Sequence, residues 1–100
     1  MVEGEFNKLV EKMVAIRTAK NHDYGNSFME SYNDPEMQLG NYNIFFDINR
    51  KVGRIKVLLL GSKQPKVLNE TLEDTFLDLA VISLNAILAL RSRKDADNNM

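Results

Sequence analysis

A row of acidic residues at helical spacing is the feature of this sequence most suited to chemistry. Glu70, Asp74 and Asp78 follow one another at intervals of four residues, and Glu73 lies one turn to the side. On a helix these carboxylates line about 12 Å of one face. Like charges four residues apart destabilise a helix by roughly 0.2–0.5 kcal/mol per pair. The row therefore predicts a cationic group against this face.

Two kinds of cation fit the acidic row. One is Mg²⁺ or Mn²⁺, which takes one or two protein carboxylates and uses substrate phosphates as further ligands. In that case Asp74 and Asp78 are the metal ligands, and Glu70 is the catalytic residue that orients a water molecule for attack on phosphorus. The other is a set of basic side chains from the preceding helices, which would form a structural ion-pair network. The sequence leaves both alternatives open.

Three basic residues lie at positions from which they can bind either a carboxylate of the acidic row or a phosphate group. Lys51 lies close to the centre of an apolar helical stripe and therefore needs a carboxylate partner. Arg54 flanks the same stripe, and Lys20 lies at the end of the apolar stripe of the first predicted helix. Their donors suit phosphate oxygens. Tyr24, in a polar segment, is a candidate contact for a base or sugar, and Arg50 is either a further donor or simply exposed.

Composition excludes several classes of protein. The 100 residues include 13 Lys and Arg, 14 Asp and Glu, one His and no Cys. A net charge of -1 gives no electrostatic basis for binding duplex nucleic acid. The missing cysteines exclude thiolate metal sites and Cys nucleophiles, and they fit a cytoplasmic protein. The longest apolar stretch, Leu79 to Leu90, is too short to cross a bilayer, so no membrane partner is expected.

Three segments carry a resemblance to a known family. KNHDYGNSF at 20–28, KVGRIKVLL at 51–59 and NETLEDTFLDLA at 69–80 resemble the nucleotide modification associated domain family, type one, small proteins common in bacteriophages and prophages. The resemblance covers about residues 6–90 and implies a role in phage nucleotide or modified-base metabolism in the host cytoplasm. Position by position it points to Lys20, Asp23, Tyr24, Gly25, Ser27, Lys51, Arg54, Glu70, Asp74 and Asp78.

A more distant resemblance is to the all-α NTP pyrophosphatases of the MazG-like group. It implies Mg²⁺ held against a triphosphate by acids from two helices. This chain has the pattern Glu70-x-x-Glu73 but lacks a matching E-x-x-D pattern on another helix. Only Asp47 or a partner subunit is therefore available to complete such a site.

The leading hypothesis is a phage-type nucleotide-binding protein. In it the basic residues meet phosphates, and the acids hold Mg²⁺ or Mn²⁺. If the protein is an enzyme, the reaction is Mg²⁺-dependent nucleotide pyrophosphohydrolysis. The alternative is a binding module without chemistry, which sequesters a nucleotide or acts as an accessory subunit. A third hypothesis is purely structural, with the ion pairs tying the helices together.

Apolar periodicity predicts the elements that must position these residues. Three main helices are expected at about 2–20, 41–60 and 70–92, with a short fourth element near 35–40, as a small antiparallel all-α bundle. Residues 21–35 are predicted to form a structured loop, and Asn69 is predicted to cap the third helix. Residues 1–92 are expected to form a single domain, followed by a disordered tail at 93–100. The third helix is apolar on two opposite sides, which predicts a central position or the interface of a dimer or larger homo-oligomer.

Overall fold

Four helices make up nearly all of what the computed structural model describes, namely residues 2–24, 27–33, 37–61 and 71–98. They are α1 (Val2–Tyr24), α2 (Ser27–Tyr32), α3 (Met37–Leu60) and α4 (Leu72–Asn98). No strand occurs in these ranges. The prediction of a small all-α bundle of three main helices and one short element is confirmed.

The direction of the main helices follows from the ion pairs and hydrogen bonds between them. Lys12 pairs with Glu73 and Lys20 with Asp78, so α1 and α4 run the same way. Arg93 bonds Asn41 while Lys51 pairs with the more N-terminal Asp78, so α3 and α4 are antiparallel. The bundle therefore has the predicted up-and-down order.

Helix α4 is the central element and contacts each of the other three helices. Leu77, Val81, Ala86 and Ala89 of this helix are buried, and Tyr32 of α2 packs against the two alanines. One apolar side of α4 thus fills the bundle, as its two-sided sequence pattern predicted for a central helix. The other side stays exposed.

The segment predicted as a loop is largely helical. Helix α1 continues to Tyr24, and α2 follows from Ser27 to Tyr32. Asn, Asp and Ser disfavour a helix here by their local propensity. Phe28 and Met29 pack against the core around Tyr32, and tertiary packing of this kind stabilises a helix too short to persist alone. The short element is therefore α2, whereas residues 37–40, where it was expected, begin α3; residues 34–36 lie outside the described ranges.

Both ends of α4 differ from the prediction. Thr71 caps the helix, because its hydroxyl accepts the Asp74 backbone N–H at 3.1 Å and the Asp74 carboxylate accepts the Thr71 hydroxyl at 2.9 Å. The predicted cap, Asn69, lies outside the described residues. At the other end the helix continues to Asn98, so the predicted end at residue 92 was too early and the segment 93–98 is helical.

Gly40 lies in the first turn of α3, before the residue at which the helix was expected to begin. The sequence indicates that this glycine weakens the start of the helix. In the structure a Cβ here would overlap the Tyr32 carbonyl oxygen and lie 2.8 Å from Nη2 of Arg93. The helix therefore needs glycine at this crossing, and its packing against α2 and α4 outweighs the low helix propensity.

Gly40→Ala is expected to lower the free energy of unfolding by about 2–3 kcal/mol, because backbone must move to admit the methyl group. Gly53→Ala is the matched control on the same helix, since a Cβ there meets nothing within 4 Å. That control is expected to stabilise the protein by about 0.5–1 kcal/mol. Urea unfolding of both variants measures the difference, and equal effects would contradict the close approach at Gly40.

Within α4 the segment Leu72–Lys94 is long and apolar enough to cross a membrane, by length and composition. This segment is longer than the apolar stretch from Leu79 to Leu90, which was expected from the sequence to be too short to cross a bilayer. The central helix of a helical bundle meets the same criterion, so this is weak evidence for a membrane span.

Candidate functional site

Asp78 joins the three main helices at one point. Its Oδ1 lies 3.0 Å from Nζ of Lys20 on α1, and its Oδ2 lies 3.3 Å from Nζ of Lys51 on α3. The side chains of Asp78 and Lys51 are 22% and 21% exposed, whereas that of Lys20 is 54% exposed. Both carboxylate oxygens are thus bonded by ammonium groups, and Lys51 has the carboxylate partner that its position predicted.

This arrangement is the ion-pair alternative for the acidic row. A divalent cation bound to Asp78 would lie close to two ammonium groups, which repel it. In the described ranges no group of three or more His, Asp or Glu side chains is arranged to hold a metal ion. As the structure places it, Asp78 is paired with the two ammonium groups of Lys20 and Lys51. Glu70, the predicted catalytic residue, lies outside the described residues.

Asp74, the other predicted metal ligand, lies in the first turn of α4 and has other partners than Asp78. Its hydrogen bond from the Thr71 hydroxyl, together with Lys12 at 3.8 Å, holds the pKa of this carboxyl below its usual range. Lys12 also pairs with Glu73 at 2.6 Å, and this hydrogen bond raises the pKa of the lysine. Asp74 therefore takes part in the Thr71 cap of α4 and faces Lys12, and it does not line the cavity beside Asp78.

A cavity of about 440 Å³ opens beside the Asp78 ion pairs, between all four helices. Its walls carry more positive than negative charge. The cationic residues are Arg17, Lys20, Arg50 and Lys51, and the acidic ones are Asp47 and Asp78. Arg50 is also 3.4 Å from Asp47, on the same helix. An anion entering this cavity meets an excess of hydrogen-bond donors.

One wall of the cavity is aromatic. Phe28 and Tyr32 meet edge to face, with ring centroids 6.2 Å apart. The guanidinium of Arg17 lies 5.5 Å from the centroid of the Phe28 ring, and its Nε donates to Oδ1 of Asn85 at 2.9 Å. These two contacts fix the plane of the guanidinium group.

Tyr32 holds α2 against α3 at the base of this wall. Its hydroxyl donates to Oδ2 of Asp47 at 2.7 Å. Burial, reinforced by this bond to a carboxylate, raises the pKa of the Tyr32 hydroxyl far above its ordinary value. The phenol therefore remains a neutral donor over the physiological range.

The structure brings part of the predicted site together. Lys20, Lys51 and Asp78 meet at the cavity, whereas Arg54, one turn beyond Lys51, does not line it. Helix α1 ends at Tyr24 and α2 begins at Ser27. The side chains of Asp23, Tyr24 and Ser27, with the whole of Gly25, lie outside the described residues.

Sequence reasoning missed several cavity residues. Arg17 lies seven residues after Val10 on the apolar stripe of α1, and Asn85 interrupts the apolar run of α4. A polar residue on an apolar stripe is the signal that identified Lys51, and it applies to both of these. No comparable signal marks Phe28 or Tyr32, because their segment has no sustained period.

Comparison with known proteins adds no family assignment. No protein-family model, curated protein or solved structure matches this chain.

Proposed function

We propose that this protein binds a nucleotide in the cavity between the four helices, without a divalent metal. The phosphate groups lie against Lys20 and Lys51, and the base or sugar lies near Phe28 and Tyr32. The observation that carries this proposal is the lysine pair that lines a cavity together with an aromatic wall.

Charge supports an anionic ligand. Four cationic side chains line the cavity against two carboxylates. Lysine and arginine donors form their strongest hydrogen bonds with charged acceptors such as phosphate. Arg17, oriented by Asn85 and Phe28, is a further donor whose planar group suits two phosphate oxygens at once.

Size and shape support a ligand larger than a free phosphate ion. A volume of about 440 Å³ lies within the range typical of small-molecule sites, roughly 300–1,000 Å³. The ring of Phe28, which Tyr32 supports from the core, suits the face or edge of a flat heterocycle. A phosphate and an aromatic group on one molecule describe a nucleotide.

The resemblance of three segments to the nucleotide modification associated domain family supports the same class of ligand. One residue from each segment reaches the ion-pair cluster: Lys20 from the first, Lys51 from the second and Asp78 from the third. Residues far apart in sequence thus lie at a single point beside the cavity.

Binding without metal is proposed because of the position of Asp78. The ammonium groups of Lys20 and Lys51 supply the positive charge that Mg²⁺ supplies in metal-dependent sites. A nucleotide held in this way is bound and not hydrolysed by metal-activated water. This supports the non-catalytic alternative among the functions that the sequence predicts.

Isothermal titration calorimetry against nucleoside mono-, di- and triphosphates and cyclic dinucleotides, with Mg²⁺ and with EDTA, tests the proposal. We expect at least one nucleotide to bind equally well in EDTA. Binding that needs Mg²⁺ would contradict the metal-free site. No binding by any nucleotide would leave the Asp78 cluster with a structural role alone.

Lys51→Met is expected to weaken the binding of that nucleotide by about 10- to 100-fold, because it removes one charge-assisted hydrogen bond worth roughly 1.5–3 kcal/mol. Lys12→Met is the matched control: Lys12 also pairs with an acid of α4 but does not line the cavity. Its affinity is expected to equal that of the unchanged protein. Equal losses in the two variants would contradict the assignment of the cavity.

A further inference from the structure

The outward side of α4 carries an apolar stripe that no described helix covers. Its residues are spaced alternately by four and three positions, the repeat of a helix-pairing seam. We call the following residues the outer seam: Phe76, Ala80, Ser83, Ile87 and Leu90. They continue the same spacing to Glu73 at one end and to Lys94 at the other.

The outer seam is exposed although it is mainly apolar. Phe76, Ile87 and Leu90 are 46%, 45% and 51% exposed, and Leu84 and Leu88 beside them are 46% and 41% exposed. A contiguous apolar patch of this kind on a small domain marks an interaction surface. The radius of gyration of 15.6 Å, against about 13 Å for a compact chain of this length, agrees with incomplete burial in the single chain.

Ser83, the polar residue of the outer seam, does not need a hydrogen bond to water. The Ser83 hydroxyl donates to the Leu79 carbonyl of its own helix at 2.9 Å. With its donor satisfied, this small side chain adds little cost to a dry interface. Ser83 and Ala80 at the middle of the seam also allow a second helix to approach closely.

Charge at the two ends of the seam identifies the occupant. Glu73 at the N-terminal end pairs with Lys12 through Oε2 and still keeps 57% of its side chain exposed, and Lys94 at the C-terminal end is also exposed. In an antiparallel pair of identical helices each Glu73 lies beside the Lys94 of the other copy. In a parallel pair the like charges meet. The seam is therefore self-complementary only in the antiparallel arrangement.

We infer that the outer seam of α4 binds the same seam of a second copy of this chain, giving an antiparallel two-fold dimer. The seam lies on the side of α4 opposite the residues that line the cavity, so the inference does not depend on the proposed function. Two-fold pairing uses one patch twice and closes at two subunits, which agrees with a seam confined to one helix.

The first test is the mass of the protein in solution by sedimentation equilibrium. We expect about twice the 11.4 kDa chain mass at micromolar concentration, and the single-chain mass for Ile87→Glu with an unchanged circular dichroism spectrum. Val57→Glu is the control, because Val57 is 55% exposed on α3, away from the seam. That variant should remain a dimer. A chain that is monomeric throughout, or one dissociated equally by both variants, would overturn the inference.

The second test determines the orientation of the two helices. Because the chain has no native cysteine, only the introduced thiols can react with a cross-linking reagent. In the antiparallel dimer two copies of Phe76→Cys, or of Leu90→Cys, hold their thiols about 20 Å apart, whereas a mixture of the two variants brings unlike thiols together. A short bismaleimide reagent should therefore cross-link only the mixture. Cross-linking of each variant by itself would indicate a parallel pair and overturn the antiparallel assignment.

A third measurement separates a second copy from a lipid surface. Unchanged protein is mixed with phosphatidylcholine vesicles and sedimented. We expect it to stay in the supernatant as a dimer. A monomer that moves to the vesicle pellet, and loses that property on Ile87→Glu, would assign the seam to lipid and overturn the inference.

Discussion

Asp78→Asn is expected to tighten nucleotide binding by about 10- to 100-fold. In the unliganded protein the Asp78 carboxylate already bonds the two ammonium groups that a phosphate would use, at 3.0 and 3.3 Å. Asparagine keeps the shape of the side chain but removes its charge. The ligand then no longer competes with a carboxylate, and it no longer meets an anion beside its binding site.

The same substitution is expected to destabilise the unliganded protein by about 1–3 kcal/mol. Lys51 is only 21% exposed and loses its charged partner. Removing one member of a largely buried ion pair leaves the other charge uncompensated. The two effects have opposite directions, so a variant that binds better while melting earlier is the expected result, measured by calorimetry and by urea unfolding.

The control for this prediction is Glu73→Gln. Glu73 pairs with Lys12 at 2.6 Å on the same helix but does not line the cavity. Its substitution should leave the nucleotide affinity unchanged. If Asp78 is instead a metal ligand, as the sequence also allowed, Asp78→Asn abolishes binding and the unchanged protein binds only with Mg²⁺. That outcome would reverse the present assignment of the site.

Arg93→Met is expected to lower the free energy of unfolding by about 2–4 kcal/mol. The Arg93 guanidinium donates to the Asn33 side chain at 3.0 Å, to the Asn41 side chain at 2.6 Å and to the Tyr32 carbonyl. It thereby joins the end of α2 and the start of α3 to α4. Methionine fills some of the space but leaves the partly buried Asn33 side chain and Tyr32 carbonyl without this donor.

Arg93→Met is also expected to change the shape of the cavity. Phe28 and Tyr32 belong to α2, so a looser α2 displaces the aromatic wall. We expect weaker nucleotide binding even under conditions in which Arg93→Met is folded. Arg93→Lys should have an intermediate effect, because a single ammonium group cannot reproduce the planar fork of three bonds.

Lys56→Met is the control for the loss of a basic residue, since Lys56 is exposed on α3. Urea unfolding should show no more than about 0.5 kcal/mol of change for this variant. An equally small change for Arg93→Met would show that the apolar contacts of α2 and its hydrogen bonds to α3 hold it without Arg93.

The main helices could be predicted from the sequence because their apolar residues recur with the helical period. The start of α1, the end of α3 and the central position of α4 all follow from such stripes. Lys51 could be recognised as a site residue for the same reason, because a charge close to the centre of an apolar stripe must find a partner. Its partner, Asp78, was one of several acids in the row.

Local pattern failed where the contacts that stabilise an element come from distant parts of the chain. Helix α2 has the composition of a loop, and it is helical because Phe28, Met29 and Tyr32 pack against α4 and α3. Helix α4 continues past its apolar pattern to Asn98, and Arg93 within that extension bonds residues about 60 positions earlier. No window of neighbouring residues contains that information.

By itself the sequence determined the all-α class, the three long helices and a set of acids and bases able to meet. Those properties depend on spacing within one helix and on charge that must be neutralised. Only the tertiary structure decided that Asp78 faces Lys20 and Lys51 while Asp74 faces Lys12. The two acids stand four residues apart on one helix and look equivalent in sequence. Which lysines each of them meets is decided by where α1 and α3 cross α4.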